Sequence, residues 1–322
     1  MKQLVGKLVL AAAAALSAAT CAAADVYPSR PVTILVGYVP GGSPDRIARL
    51  LAKRLSERLG QPFVIENKPG AGGTLATGTA ARAAADGYTL LMGETGQLAI
   101  SPYVFKSLPY DTLKDFAPVA RVSSEPVLLV SGQNAPFKTL DELVQVTKTN
   151  PGKFNYGSSG IGTIHHIAME AFLATAGIKM NHIPYKGSGQ SIPAVLAGDV
   201  PLIVTGSATA VPHARTGKVR MLAVSTPSPA ALPNVPFIGQ TFNGYDFASE
   251  IGVLVQRGAP AAVVNKLAEA INQICKEPDF AARLTEAGPS VAYLSPTEYA
   301  ENLRAQLKKY EAATKVAGIR PN

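Results

Sequence analysis

From residue 33 onward, short runs of consecutive apolar residues alternate with longer stretches in which apolar positions recur every three or four. The first pattern predicts strand and the second amphipathic helix. Residues 33–39 read as a strand, Pro40-Gly41-Gly42 as a turn, and the next stretch as a helix running to about residue 59. Ile47, Leu50, Leu51 and Leu55 make its apolar face, leaving Arg46, Arg49, Lys53 and Glu57 for solvent. Ser43 is placed to cap it, with Pro44 at the first helical position, Asp45 in the first turn and Gly60 at the end. The unit recurs as a strand at 63–66, a glycine-rich turn at 69–73, an Ala-rich helix and a strand at 88–92. Further strands are predicted at 126–130, 153–156, 182–185, 202–205 and 221–225, with helices near 140–149, 164–176, 191–197 and 208–216. Thr139 and Glu142 form a capping box at one helix start. Such alternation predicts largely parallel sheets covered by helices on both faces.

The C-terminal part reads differently. After a strand at 251–255 come three helical stretches with no comparable strand signal, the last opened by Ser295-Pro296-x-Glu298. Two α/β halves and a helical tail predict a bilobal molecule whose chain crosses between lobes more than once. The expected division is residues 25–125 with 247–322 as one lobe and 126–246 as the other, hinged near 121–126 and 247–253. No repeat or low-complexity linker separates the halves.

The first 24 residues are set aside from the fold. Lys2 and Lys7 precede an apolar stretch, and Ala22-Ala23-Ala24 offers a small-residue cleavage site before Asp25, the pattern of a secretory signal peptide. Thr20 and Ala18 fit poorly with lipid attachment at Cys21. Removing the leader lowers the formal charge from +8 to +6, and no later run is long enough to span a bilayer. A periplasmic protein is expected. Its one remaining cysteine, Cys275, has no internal disulfide partner and sits beside Val264, Leu267, Ile271 and Ile274, so packing is its expected role.

At 322 residues, 47% hydrophobic and 16% charged, the chain is neither disordered nor a disulfide scaffold. Its basic residues are scattered without aromatic interleaving, which argues against nucleic acid. Three Gly/Ser turns lie between a strand end and a helix start: 41–43, 157–163 and 187–189. Each would aim unpaired amides and a positive helix end at one place, a ready anion site. One such turn alone is more plainly just a turn. Three at equivalent positions, with hydroxyls beside the glycines, point to a crevice at the strand ends. Gly157-Ser158-Ser159-Gly160-Ile161-Gly162 also looks like a short-chain dehydrogenase turn, but Tyr110 and Lys114 lie upstream of it, where that family's Tyr/Lys pair does not.

Catalytic patterns are scarce. There is no Gly-x-Ser-x-Gly elbow, no His-Glu-x-x-His and no Cys pair at ligand spacing. His166 and Glu170 share a helix face, but two ligands do not make a metal site. The expectation is a pocket without a catalytic group, metal or cofactor.

Taken in order, several motifs resemble the Bug family of periplasmic solute-binding proteins, the receptors of tripartite tricarboxylate transporters. They are Tyr27-Pro28-x-Arg30-Pro31, Pro40-Gly41-Gly42-x-x-Asp45, Asn67-x-Pro69-Gly70-Ala71-Gly72-Gly73, Asp86-Gly87-Tyr88-Thr89-Leu90 and Leu108-Pro109-Tyr110-Asp111 with Asp115-Phe116. Further along the chain come Tyr156-Gly157-Ser158-Ser159-Gly160-x-Gly162 with His166, Pro184-Tyr185-Lys186-Gly187 and Leu232-Pro233-x-Val235-Pro236. The resemblance implies an α/β, two-lobed periplasmic-binding-protein (flytrap) fold of type II-like form. It implies a carboxylate held between lobes by backbone groups and waters, and delivery to integral-membrane permease subunits by a monomer. On that basis the ligand site comprises Tyr38, Gly41, Gly42, Ser43 and Asp45 on one side, with Ser158, Ser159, Gly160, Gly162, Thr163 and His166 on the other. Gln97 is placed to reach the far end of the ligand, and Asp45 is better suited to the helix start than to an anion. Thr205 stands where amino-acid-binding relatives are expected to carry an acidic side chain, so the expected ligand is a mono- or dicarboxylate without an amine, aliphatic or aromatic. A co-sensor for a signalling receptor would use the same pocket. A periplasmic enzyme would need a nucleophile or metal that the sequence does not offer.

Overall fold

A computed structural model of the chain describes residues 27–227, 232, 234–286, 288–319 and 321. The expected leader, residues 1–24, lies outside the described residues. The strands and helices run in chain order as β1 (Val32–Val36), α1 (Ser43–Leu59), β2 (Phe63–Asn67), α2 (Thr74–Ala81), β3 (Thr89–Glu94), α3 (Ser101–Val104) and β4 (Phe116–Gly132). Next come α4 (Leu140–Thr149), β5 (Asn155–Ser158), α5 (Ile164–Ala176), β6 (Asn181–Pro184), α6 (Ser188–Ala197), β7 (Leu202–Gly206), α7 (Ser207–Arg215) and β8 (Val219–Val224). The chain ends with β9 (Ala248–Gln256), α8 (Ala261–Cys275), α9 (Pro278–Glu286), β10 (Ser290–Leu294) and α10 (Pro296–Val316).

The strands form one curled sheet in the order β2-β1-β3-β9-β4-β7-β5-β6, with β8 and β10 also paired to β4. Strand β4 is its spine. Residues 116–126 of β4 pair with β9, and residues 127–132 pair with β7 and β8. Pairing is parallel for β1 with β2 and β3, and for β5 with β6 and β7. Along the centre it is antiparallel, because β4 passes from one half to the other and β9 returns beside it without a crossover helix. The expectation of largely parallel sheets therefore holds only for the outer strands.

Three elements escaped the sequence pattern: the single-turn helix α3, the first half of β4, and β10. Strand β4 begins ten residues before the expected position, since Pro118 and Pro126 break its apolar run and register shifts near Pro118 and Arg121 absorb the disturbance. Strand β10 lies within the tail expected to be helical; its residues are only half-buried or exposed, so it carries little apolar alternation.

One core cluster packs α1 (Ile47, Leu51, Leu55) and α8 (Leu267, Ile271, Ile274) on β1, β3 and β9. Free Cys275 is buried there, as expected from its neighbours. A second cluster centres on Val127, Leu129, Tyr156 and Phe172 and also takes in Ile100, Val104 and Tyr310. Helix α10 thus places Tyr310 in that cluster and Tyr299 and Leu303 in another with Leu91 and Leu254. Its capping box from Ser295 to Glu298 is formed as the sequence predicts.

Candidate functional site

The loops after β1, β2, β5 and β6 converge on a cavity of about 230 Å³ lined by Gly37, Tyr38, Gly70 to Gly73, Phe105, Ser159 to Ile161 and Pro184 to Lys186. Larger concavities occur, including one of about 440 Å³ lined by Gly132 to Ala135, Val195, Leu196, Val200, Pro201 and Lys218, but none of its residues belongs to the Gly/Ser turns predicted to bind an anion.

Asp45 organises the loop after β1. Its buried carboxylate accepts from the Gly41 amide, from Arg49 through two bonds and from Asn67 Nδ2 at 2.9–3.0 Å. Burial alone would raise its pKa, but the bonds from Arg49, Gly41 and Asn67 outweigh this and hold it below the ordinary carboxylate value. Asn67 also donates to Tyr38 O, tying the end of β2 to the same loop. Asp45 is therefore fully engaged within its own loop, the helix-start role its position predicts. The helix cap falls one residue earlier than expected: Gly42 is the N-cap and Ser43 lies inside the helix. Freed from capping, the Ser43 hydroxyl reaches across to Thr209 Oγ1 at 3.3 Å.

On the facing side, Thr163 caps α5 by accepting from the His166 amide, and its hydroxyl donates to Gly160 O. Ser158 Oγ accepts from the Gly160 amide and lies 2.6 Å from His182 Nε2; Ser159 Oγ bonds His165 Nδ1. The His166 ring stacks on His182 at 4.2 Å and accepts from the Gly162 amide. Burial lowers the pKa of His165 and His166 to about 3 and of His182 to about 4, so all three rings are neutral at pH 7. Both serine hydroxyls are thus occupied internally. What the loops still offer is main chain: among the described residues, the amides of Gly42, Ser43, Ser159 and Ile161 donate to no protein atom.

The two sides touch backbone to backbone. Val39 N donates to Lys186 O at 3.3 Å. A Cβ added at Gly72 would collide with Ile161 O, and one at Gly189 with Pro40 O. Gly42 is looser, with Ser188 N and Gly189 N both 3.8 Å from such a Cβ. Helices α1 and α6 therefore start almost against each other, and α5 starts against Gly96, whose added Cβ would lie 2.9 Å from Thr163 Cα. Several positive helix ends meet at one seam.

Of the expected residues, Tyr38, Ser159 and Gly160 line the cavity. Gly41, Gly42 and Ser43 are not among its lining and lie at the α1 start, with Gly42 facing α6 and Ser43 facing Thr209; Ser158, Gly162, Thr163 and His166 belong to the loop and helix start around Ser159 and Gly160 without lining it. Gln97 lies fully buried beneath Gly37 and Gly73, its Oε1 unpartnered. Thr205 is buried on β7, its hydroxyl also unpartnered.

Residues 47–319 match TctC, the tripartite tricarboxylate transporter family receptor. The chain belongs to that family. BugT of Bordetella pertussis (strain Tohama I) is 31% identical over 302 residues, 92% of each chain. The structure of R. palustris Rpa4515 with adipate matches with a TM-score of 0.90 and 32% identity, covering 92% of this chain and 100% of that one. MatC (Rpa3494) from Rhodopseudomonas palustris with bound malate matches with a TM-score of 0.84 and 30% identity, over 89% and 99% of the two chains. The Bug resemblance drawn from the motifs and the periplasmic-binding-protein fold it implied are both shown by these matches. Among the described residues, no helix of this TctC-family chain is long and apolar enough to cross a membrane.

Sequence reasoning missed several residues at the seam. Gly72 and Gly73 belonged to a turn that was recognised but not assigned to the site, whereas Gly187 to Gly189 were read as one of the three crevice turns but not named among the ligand contacts. His165, His182 and Phe105 gave no positional signal. Glu94 and Glu125 are both buried, and among the described residues neither forms an ion pair. Their one clue was a charged residue inside or at the end of an apolar strand.

Proposed function

We propose that the chain is a periplasmic receptor that closes on a small carboxylate and delivers it to the permease subunits of a tripartite tricarboxylate-type transporter, making and breaking no bond. The observation that carries this reading is the set of unengaged amides at converging helix starts: Ser159 and Ile161 line the cavity, while Gly42 and Ser43 open α1 against the start of α6. The division into lobes at residues 125/126 and 246/247 follows the change of strand partner along β4, and closure would turn about that point. Adipate and malate, held by the two solved relatives, are carboxylates without an amine, the class that Thr205 favours here. Glu94 and Glu125 do not supply the missing partner for an ammonium group. They are directed to β9 and to the start of α7, outside the cavity lining.

Main-chain recognition is strong enough. Hydrogen bonds to a charged group contribute ~1.5–3 kcal/mol each and a helix start adds ~0.3–1. Three or four, less ordering costs, reach the ~8 kcal/mol of a micromolar complex. A thermal-shift panel of carboxylates tests the reading, since a ligand at 100 times its Kd stabilises by ~2.7 kcal/mol. Stabilisation by plain mono- or dicarboxylates is expected; tight binding of glutamate with none of adipate or malate would overturn it.

A further inference from the structure

Glu125 stands where the two halves of the sheet meet. It lies on β4 just before the strand changes partners, and it is buried. Its Oε2 accepts from the Ala208 amide and the Ser207 hydroxyl, both at 3.1 Å, and so occupies the start of α7. Its Oε1 has no partner. Gly206 packs so tightly here that an added Cβ would lie 2.5 Å from Glu125 Oε1 and 2.6 Å from Ser43 Oγ. Strand β9 separates Glu125 from a second buried carboxylate, Glu94 at the end of β3. Ser249, the register partner of Glu125, donates to Glu94 Oε1 at 2.7 Å.

The groups facing the pair can be named. From the loop after β1 comes Tyr38, which faces Glu94; from α1, Ser43; from α7, Ser207 and the Ala208 amide; from β9, Ser249; and from α10, the buried Tyr310, near Glu94. The charged neighbours on these strands, Arg121 and Glu250, are paired with each other at 2.7 Å. Among the described residues, no cation pairs with either Glu94 or Glu125.

We infer that Glu125 is a positioning residue of the cleft, holding the start of α7 against Ser43 of α1 as a neutral acid, so that closure draws a proton onto the Glu94–Glu125 pair. A neutral carboxyl resolves the geometry: its hydroxyl donates where the orphaned Oε1 lies, toward Ser43, while the other oxygen keeps the two bonds from α7. An ionised one would be buried beside another carboxylate with no cation to offset it, only the two bonds from α7. In line with this, burial pushes Glu125 from its ordinary 4.5 up to about 7 despite the bonds from Ala208 and Ser207 and the nearby Ser43 hydroxyl, and Glu94 adds to the rise. Opening the halves would part α7 from α1, wet the carboxyl and return it to the ordinary range. Protons then favour the closed form: the gain is complete below about pH 4.5, shrinks as pH rises, and is gone above about 7.

The inference rests on the receptor reading, and the test separates the two. Adipate affinity is measured by calorimetry from pH 5 to 8 for the wild type and Glu125→Gln, with small-angle scattering of both ligand-free proteins over the same range. The wild-type affinity, taken relative to Glu125→Gln, is expected to fall by up to about tenfold per pH unit between 5 and 7 and then level off. Ligand-free Glu125→Gln is expected to be more compact than the wild type at pH 7.5 and equal to it at pH 5. If adipate binds at no pH, the choice of ligand class is at fault and the scattering comparison alone decides the proton link. Should Glu125→Gln fail to fold, Glu94→Gln takes its place and is expected to move the wild-type inflection to lower pH. Curves that run parallel for variant and wild type, in affinity and in scattering, would overturn the inference.

Discussion

Gly189 lies so close to Pro40 that a Cβ added to the glycine would meet the proline carbonyl oxygen at well under 3.0 Å. The two residues belong to opposite sides of the cleft, Pro40 in the loop leading into α1 and Gly189 in the first turn of α6. Replacing Gly189 with alanine therefore wedges the closed contact while leaving each side's own packing intact. The expected result is a loss of ligand affinity of tenfold or more with thermal stability of the ligand-free protein nearly unchanged. Gly42→Ala is the contrast: its Cβ would meet the facing amides at 3.8 Å, an ordinary contact, so a loss below about threefold is expected. Titration calorimetry of the two alanine variants side by side decides this, and equal losses would contradict it.

Ser159→Ala separates side chain from main chain. The hydroxyl serves His165, whose other nitrogen already lacks a partner, so its removal leaves a buried ring with neither nitrogen bonded. A stability loss of about 1–3 kcal/mol is expected. Ligand affinity should change by less than about threefold because the Ser159 amide stays in place. A large affinity loss with unchanged stability would mean that the hydroxyl itself grips the ligand.

Much of this site was legible as glycine and hydroxyl spacing. The turns at 41–43 and 157–163 declared themselves because a strand end, a small-residue turn and a helix start in sequence have few other uses. What could not be read was which turns meet. Gly72 against Ile161 and Gly189 against Pro40 are long-range contacts, fixed by how β4 and β9 join the halves, and no local pattern reports them. The same holds for Glu125: a carboxylate inside an apolar strand signals a constraint, but its partners Ser207 and Ala208 are more than eighty residues away. Strand β4 was half hidden for a local reason, since its prolines and bulges break the alternation on which strand recognition depends.

Acid should weaken the fold. His165, His166 and His182 titrate near 3, 3 and 4 when folded because burial disfavours the imidazolium, against an ordinary value of 6.5. A depressed folded pKa means stability that is present above 6.5 and is lost as pH falls, since the unfolded chain takes up protons first. Glu94, Glu125 and Glu170, all raised by burial, act in the opposite sense over part of the same window and offset part of that loss. Each ring is worth up to about 1.4 kcal/mol per pH unit. A net loss of about 2–4 kcal/mol between pH 6.5 and 5 is expected in urea denaturation, and a flat profile would contradict it.

Asp45→Ala should uncouple the α1 loop from its anchors. The substitution strands the Gly41 amide and leaves Asn67 Nδ2 with only Tyr38 O, whereas Arg49, whose side chain is 53% exposed, can turn back to water. That exposure keeps the cost at about 1–3 kcal/mol, below that of breaking a fully buried pair. The affinity loss should exceed tenfold, because the Gly42 and Ser43 amides lose their fixed direction. Asp45→Asn, which can still accept from Gly41, is expected to recover part of the binding, and measuring both variants distinguishes lost positioning from lost folding.

Helix α10 bears on whether the two halves can unfold separately. Tyr299 and Leu303 sit in a cluster with Leu91 and Leu254 on one side, while Tyr310, further along the same helix, is buried with Phe247, Tyr245 and the β4–α5 core on the other. The Tyr310 hydroxyl also donates to Ala248 O at 3.4 Å, where β9 begins. A single rigid helix anchored in both cores transmits the loss of either one to the other, and Ile100 and Val104 add a further crossing between them. Tyr310→Ala removes a fully buried aromatic ring and should cost about 3–5 kcal/mol. If α10 works as a strap, the wild type melts in one calorimetric transition and Tyr310→Ala splits it into two, with the 127–224 half melting first. A variant that melts earlier but still in one step would show that β4 and β9 alone couple the halves.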